Sequence, residues 1–505
     1  MIKHIVAVVA AALTMVCASA AWAQDGRWWR AESPQFIVYG DGGERQVRDA
    51  ARALEDFDTV LRILTNPQTA PSANKLEIYL VRNQSGLREV SPRLGEDVYG
   101  FYSAGMEQIA AFVVDDRDMG GVRNQLLFHE YAHHFMLHYF PHAYPRWYVE
   151  GWAEFVSTTE FRVREARVGQ SSEMRAPWLQ ADLLPIEHLL RPERYARTTE
   201  FEMRFYALSW LAAIYLSNTP ERQRGLVRYV AALSDGADPM EAFEPAFGIT
   251  PEAFERELRS FRRGRISILG IALPEARAEV TVTRLPIAAD DLLLPLARLR
   301  REGSFVDEGD FTAQVERLAQ RHAGAPMAQI ALARAAMARE DYPAARTTLE
   351  AMLASGSDDA EARYLLANTM LLNARDIEDY AEARTIIAEA RRQLVAGFRA
   401  HPDHYPTLYL YAMTFSGGPD PLTEAQLNVL DRALDLAPQS ADIRLNFARE
   451  LMRASEFETA ELVLQPLIYA PHHPSAAQRA RILVEAARNR AQPPRFIESR
   501  EEADE

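Results

Sequence analysis

The chain has 505 residues, 48% of them hydrophobic, with 71 acidic against 56 basic side chains and a formal net charge of -15. That length allows two or three domains with large cores, and the acidity argues against a nucleic-acid partner, which needs a basic face. The only cysteine is Cys17, so the rest of the chain has neither disulfides nor thiolate ligands, and a metal must be held by His and carboxylate groups.

Residues 1–23 read as a cleavable export signal. Lys3 precedes an apolar run from Ile5 to Val16, and Ala21-Trp22-Ala23 forms a small-residue exit. The mature chain is expected to start near Gln24 and to be a soluble periplasmic protein, because no later segment reaches the ~18 continuous apolar residues of a membrane span.

Residues 28–270 are expected to form an α+β first domain. Residues 36–39, 76–81 and 109–114 read as strands, and 44–64 as an amphipathic helix. Residues 100–105 read as turn-rich. From Val122 to Tyr139 there is no Pro, and Leu126, Leu127, Ala132, Phe135, Met136 and Tyr139 recur at helical spacing, which predicts a long buried helix.

That helix carries His129-Glu130-Tyr131-Ala132-His133. Residues four apart share a helical face, so His129 and His133 can turn ring nitrogens to one zinc ion, at the usual distance of about 2.0–2.1 Å. Glu130 falls beside the metal and is placed as general base and later general acid. Trp147-Tyr148-Val149-Glu150-Gly151-Trp152-Ala153-Glu154-Phe155 then puts two acids one turn apart on an apolar segment. A catalytic zinc takes three protein ligands and leaves a position open, and Glu150 is expected as the third. Glu154 is expected to accept the free N–H of a zinc-bound imidazole, His129 by preference. Pro141 and Pro145 break the helix between the segments and let the second face the first. His134, His138 and His142 are expected as flanking polar residues, because a fourth protein ligand would close the open position.

At these residues the chain resembles the gluzincin metallopeptidases of the peptidase MA-like superfamily, in particular the thermolysin-like and aminopeptidase-N-like groups. Val149-Glu150-Gly151-Trp152-Ala153 matches the N-E-G-F-A segment of the latter at Glu, Gly and Ala, after a slightly shorter spacer. The resemblance implies a zincin-like fold, zinc as cofactor and peptide or protein substrates. It also implies a catalytic Tyr in a Y-x-K-G pattern at the start of a later helix. Phe205-Tyr206-Ala207-Leu208-Ser209 stands at a comparable distance with Leu-Ser in place of Lys-Gly, and gives Tyr206 as the candidate oxyanion donor. Gly105-Met106-Glu107-Gln108 keeps parts of the G-x-M-E-N signature in a shifted pattern. In the resembled families an edge strand pairs with extended substrate; residues 109–112 either fill that role or form an ordinary sheet strand.

Residues 184–233 read as helical, and 251–263 as the helix that closes the domain. Residues 271–286 are expected as a linker with a short strand at 279–283. Residues 287–490 read as all-helical. Tyr342-x-x-Ala345, Tyr380-x-x-Ala383 and Phe457-x-x-Ala460 each open a helix after a polar turn, at spacings of 38 and 77 residues. This resembles tetratricopeptide repeats, whose period is ~34 residues, in a lengthened form. Such stacked pairs typically bind a peptide or partner protein. Residues 491–505 read as an acidic disordered tail. Two functions from different classes are expected: an exported zinc-dependent peptidase with a recognition domain, or an inactive periplasmic scaffold that binds its partner through the repeats.

Overall fold

The computed structural model describes residues 25–115, 122–170, 175–180, 182–264, 268–302, 309–469 and 474–494. The expected export signal, residues 1–23, and the tail beyond residue 494 lie outside them.

The strands, in chain order, are β1 (Asp25–Glu32), β2 (Phe36–Gly40), β3 (Leu76–Val81), β4 (Gly100–Ala104), β5 (Ile109–Val114), β6 (Glu160–Arg162), β7 (Glu165–Val168), β8 (Leu269–Ala272) and β9 (Thr281–Pro286). Six form one mixed sheet in the order β4-β5-β3-β2-β1-β9, and β6-β7-β8 form a small second sheet. Within the large sheet β3 runs parallel to β2 and β5, while the remaining pairs are antiparallel. A parallel pair needs a crossover. Helix α1 (Glu44–Thr65) provides it between β2 and β3, and α2 (Gln84–Val90) lies on the path from β3 toward β5.

The alternation of side chains along the strands sends them into two separate cores. On one face Val38, Ile78, Leu80 and Val113 pack with Ala51, Leu54, Phe57 and Leu61 of α1 and with Phe128, Tyr131 and Phe135 of α3 (Val122–Tyr139). On the other face Trp28, Tyr79, Phe112 and Val114 meet Leu87 and Val90 of α2 and Ala289, Leu293 and Ala297 of a later helix. The helices that follow α3 are α4 (Arg146–Ser157), α5 (Ala176–Gln180), α6 (Ile186–Leu190), α7 (Thr199–Ser217), α8 (Pro220–Ser234), α9 (Phe243–Phe247) and α10 (Pro251–Phe261).

In this half one open alternative is decided, since residues 109–112 form the ordinary sheet strand, and one expectation is corrected. Strand β5 is interior, paired on both sides, so residues 109–112 cannot offer a free edge; β4 is the edge strand on that side of the sheet. Residues 271–286 are not a free linker either, because β9 pairs with β1 along most of its length. The next helix, α11 (Ala288–Glu302), supplies Leu293 and Leu294 to the second core of the sheet. Its Leu292, Leu296 and Leu299 point into the first core of the helical half. Helix α11 therefore belongs to both halves.

Beyond it run α12 (Asp310–Gln320), α13 (Pro326–Ala338), α14 (Tyr342–Ala354), α15 (Ala360–Arg375), α16 (Tyr380–Ala400), α17 (Tyr405–Met413), α18 (Glu424–Leu436), α19 (Ala441–Arg453), α20 (Phe457–Leu464) and α21 (Pro474–Arg488). Each packs on its chain neighbours, and second neighbours also touch, α13 with α15, α15 with α17 and α19 with α21. This is the arrangement of stacked helical pairs. Helices α14, α16 and α20 start at Tyr342, Tyr380 and Phe457, as the aromatic-x-x-Ala pattern predicts, and Ala345, Ala383 and Ala460 are buried at the close crossings. Asp341, Asp359, Asp379 and Ser440 cap helix N-termini with their side chains.

The two halves meet over the β4–β5 turn. Arg334 of α13 binds Glu107 at 2.7 Å, Tyr364 of α15 donates to Glu107 at 2.9 Å, and Tyr405 of α17 donates to the Gly105 carbonyl at 3.2 Å. Gln439, just before α19, lies 3.3 Å from Nδ1 of His134 on α3. Arg334, Tyr364 and Tyr405 come from the first helix of three successive pairs, so this face of the stack already holds a hairpin of its own chain. A cavity of 410 Å³ remains beside it, lined by Lys75, Glu77, Glu107, Arg300, Arg334 and Glu361 among others.

Candidate metal centre

Helix α3 is anchored to α1 by ring stacking and hydrogen bonds. Phe57 of α1 stacks on Phe128 with ring centroids 4.3 Å apart, and Tyr131, inside the H-E-x-x-H segment, donates to buried Asp58 at 2.6 Å. Arg62 binds the same carboxylate at 2.7 Å. The helix ends at Tyr139 and α4 begins after Pro145, so the two prolines turn the chain where expected.

Gly151 sets how close α4 comes to α7. A Cβ there would stand 2.2 Å from the Ser209 carbonyl oxygen and 3.1 Å from Cβ of Ala213. Only glycine fits that crossing. The Gly of the Glu-Gly-x-Ala segment and the Leu208-Ser209 stretch are thus two sides of one helix contact.

This packing brings His129, His133 and Glu150 together. The two Nε2 atoms lie 3.0 Å apart, and each is 3.5 Å from Oε2 of Glu150. Four ligands arranged tetrahedrally at about 2.0–2.1 Å stand about 3.3–3.4 Å from one another. The donor triangle therefore has the size of one face of such a tetrahedron. His133 and Glu150 are buried, Glu150 completely, while the His129 side chain is 12% exposed and leaves one approach open. Among the described residues this is the cluster of His, Cys, Asp or Glu groups whose donor atoms all lie within 4.8 Å of one another. The donor set fits zinc.

Glu154 lies one turn on, with Oε1 3.5 Å from Nδ1 of His129, the nitrogen that faces away from the triangle. The same oxygen accepts a 2.6 Å hydrogen bond from Arg175. Glu130 is buried outside the triangle, beneath the edge strand: a Cβ on Gly100 would be 3.2 Å from its Oε1.

Tyr206 sits two turns into α7, which begins at Thr199 under a Thr198 cap, and not at the helix start as the family pattern implies. Its ring centroid is 6.2 Å from that of His129, and the Arg175 guanidinium lies 4.9 Å from the ring. Burial, and then the charge of Glu150, push the phenol well above its ordinary range. It stays protonated and able to donate.

His134 and His138 are on the other side of α3, buried and stacked with centroids 5.5 Å apart. Neither belongs to the donor triangle. Tyr102 reaches His134 Nδ1 at 3.2 Å. Burial holds both imidazoles below their ordinary pKa, His138 at about 4. The Gly105-Met106-Glu107-Gln108 segment forms the β4–β5 turn and faces the helical half.

Arg175 carries no signature in the sequence, being a lone Arg after residues 171–174, which have no periodic pattern. No family model matches the chain, and no curated protein matches it. Among solved structures, a thermophilic TPR protein of Thermus thermophilus is 18% identical over 39% of this chain and 99% of its own, with a TM-score of 0.34, too loose a superposition to define a shared fold.

Proposed function

We propose that the chain is an exported zinc-dependent peptidase of gluzincin type, with a helical-repeat half resembling tetratricopeptide repeats. The observation that carries this reading is the donor triangle of His129, His133 and Glu150, of tetrahedral size, with Glu130 beside it on the same helix. His129, His133 and Glu150 would hold the ion. Zinc at such a site supplies Lewis-acid polarisation and lowers the pKa of water to ~7.

The residues of the chain divide the remaining work. Glu130 takes a proton from the attacking water and returns it to the leaving amine. The protonated hydroxyl of Tyr206 donates to the oxyanion as the carbonyl becomes tetrahedral. Glu154 fixes the His129 ring by accepting its Nδ1–H. Edge strand β4, which crosses above Glu130 at Gly100, offers backbone groups to an extended peptide.

Zinc analysis of the purified chain tests the reading. It should carry close to one zinc ion, and His129→Ala or His133→Ala should remove it. Full zinc content in both variants, or none in the wild type, would overturn the assignment. Among the described residues no helix is long and apolar enough to cross a membrane.

A further inference from the structure

We infer that Arg175 is a positioning residue for the candidate metal centre, a role that rests on the zinc reading above. Its side chain is buried, with the residue 8% exposed, and burial alone would oppose its charge. The Glu154 carboxylate compensates, through charge and through the 2.6 Å hydrogen bond to Oε1. That oxygen is the one 3.5 Å from His129 Nδ1. Arg175 and His129 thus share one acceptor atom, and the position of Arg175 decides where that atom stands.

The second contact is independent of the first. The central carbon of the Arg175 guanidinium lies 4.9 Å from the Tyr206 ring centroid, a cation–π arrangement that holds the phenol over the site. Another amine of the guanidinium touches the Met203 sulfur at 3.1 Å, one turn back on the helix that carries Tyr206. A single buried cation therefore ties together the carboxylate that orients a zinc ligand and the hydroxyl assigned to the oxyanion. A surface Arg serving α5 alone would need none of these partners. The delocalised fork matters: it binds Glu154 and meets the Tyr206 ring at once, and lysine, a point charge, can do only the first.

The test uses the full-length chain with Arg175→Lys and Arg175→Gln, read by zinc affinity in chelator competition, by the visible absorption of the Co²⁺-loaded site, and by peptide hydrolysis. Circular dichroism checks folding. Arg175→Gln should weaken zinc about 10- to 100-fold, as expected for loss of a group that orients a ligand, and should change the Co²⁺ spectrum. Arg175→Lys should recover most of the zinc affinity while kcat stays depressed with KM little changed, because Glu154 regains a cation and Tyr206 does not regain its platform. Wild-type zinc affinity, Co²⁺ spectrum and kcat in both variants would overturn the positioning role and leave the zinc reading intact. A wild type that binds no zinc would overturn both. Should Arg175→Gln fail to fold, Arg175→Lys decides: an unaltered kcat in it contradicts the proposal.

Discussion

Glu150 and Glu154 stand one turn apart on α4, yet the structure gives them different surroundings. Glu150 is fully buried with Oε2 equidistant, at 3.5 Å, from two imidazole nitrogens, whereas Glu154 reaches only the far nitrogen of one ring and is anchored by Arg175. Burying a carboxylate is costly unless charge compensates it, and a divalent ion in the triangle would do so. Glu150→Ala should therefore abolish stable zinc binding. Glu154→Ala should cost roughly 10- to 100-fold in affinity or activity. Chelator competition separates the two, and the reverse order would exchange their roles. The candidate ligands were legible because their spacing obeys the helical period. Arg175 was not, since its partners Glu154 and Tyr206 lie far off in sequence and meet it only through packing.

At the level of elements, the crossing of α4 and α7 is the joint on which the site depends. Gly151→Ala would drive a methyl group into the Ser209 carbonyl, an overpacking that typically costs about 1–3 kcal/mol. The helices must separate, which shifts α4 and α7 relative to one another and so changes where Glu150 and Tyr206 stand against His129. The expected outcome is a lowered melting temperature together with weaker zinc binding; a drop in stability with unchanged affinity would mean that the joint supports the fold but not the site. Strands β2, β3 and β5 were readable because they are apolar runs bounded by turns. Strand β4 was not: Gly100-Phe101-Tyr102-Ser103-Ala104 starts on a glycine, runs into Gly105 and carries only two large side chains, and it is a strand because β5 pairs with it. Strand β1 was hidden in the same way, since only Gly26, Trp28 and Ala31 of its eight residues are buried.

For the whole molecule the halves are not separable modules. A chain ending near residue 274 lacks β9 and α11, and so uncovers one edge of the sheet and the face bearing Trp28, Tyr79 and Phe112. It should aggregate rather than fold as a small peptidase, which light scattering and circular dichroism would show; a folded, zinc-loaded fragment would restore the two-module picture. The contact at the β4–β5 turn is a buried ion network, with Arg334 1% exposed between Glu107 and Glu361, and Arg300 on Glu361 at 2.6 Å. Burial raises the Glu361 carboxyl, but Arg300 and Arg334 outweigh it and hold the pKa well below the usual range. A carboxylate lowered in the folded state stabilises above its unfolded pKa of about 4.3, and that stabilisation is lost as pH falls toward the folded value. Glu361→Gln, though less stable at neutral pH, should accordingly show a flatter fall in stability on acidification, which denaturant unfolding across that range would measure.

The hairpin held by this network begins at Gly100, over Glu130, so the helical half bears on the strand that borders the proposed chemistry. The most direct test of the central claim is peptide hydrolysis by the full-length chain and by Glu130→Gln, with zinc content measured on the same samples. Glutamine keeps the shape of the side chain and removes the base. The expected result is one zinc ion in each protein, hydrolysis by the wild type and nearly none by the variant. A zinc-loaded wild type that cleaves no peptide in a diverse library, or a Glu130→Gln variant that cleaves as well as the wild type, would contradict that claim.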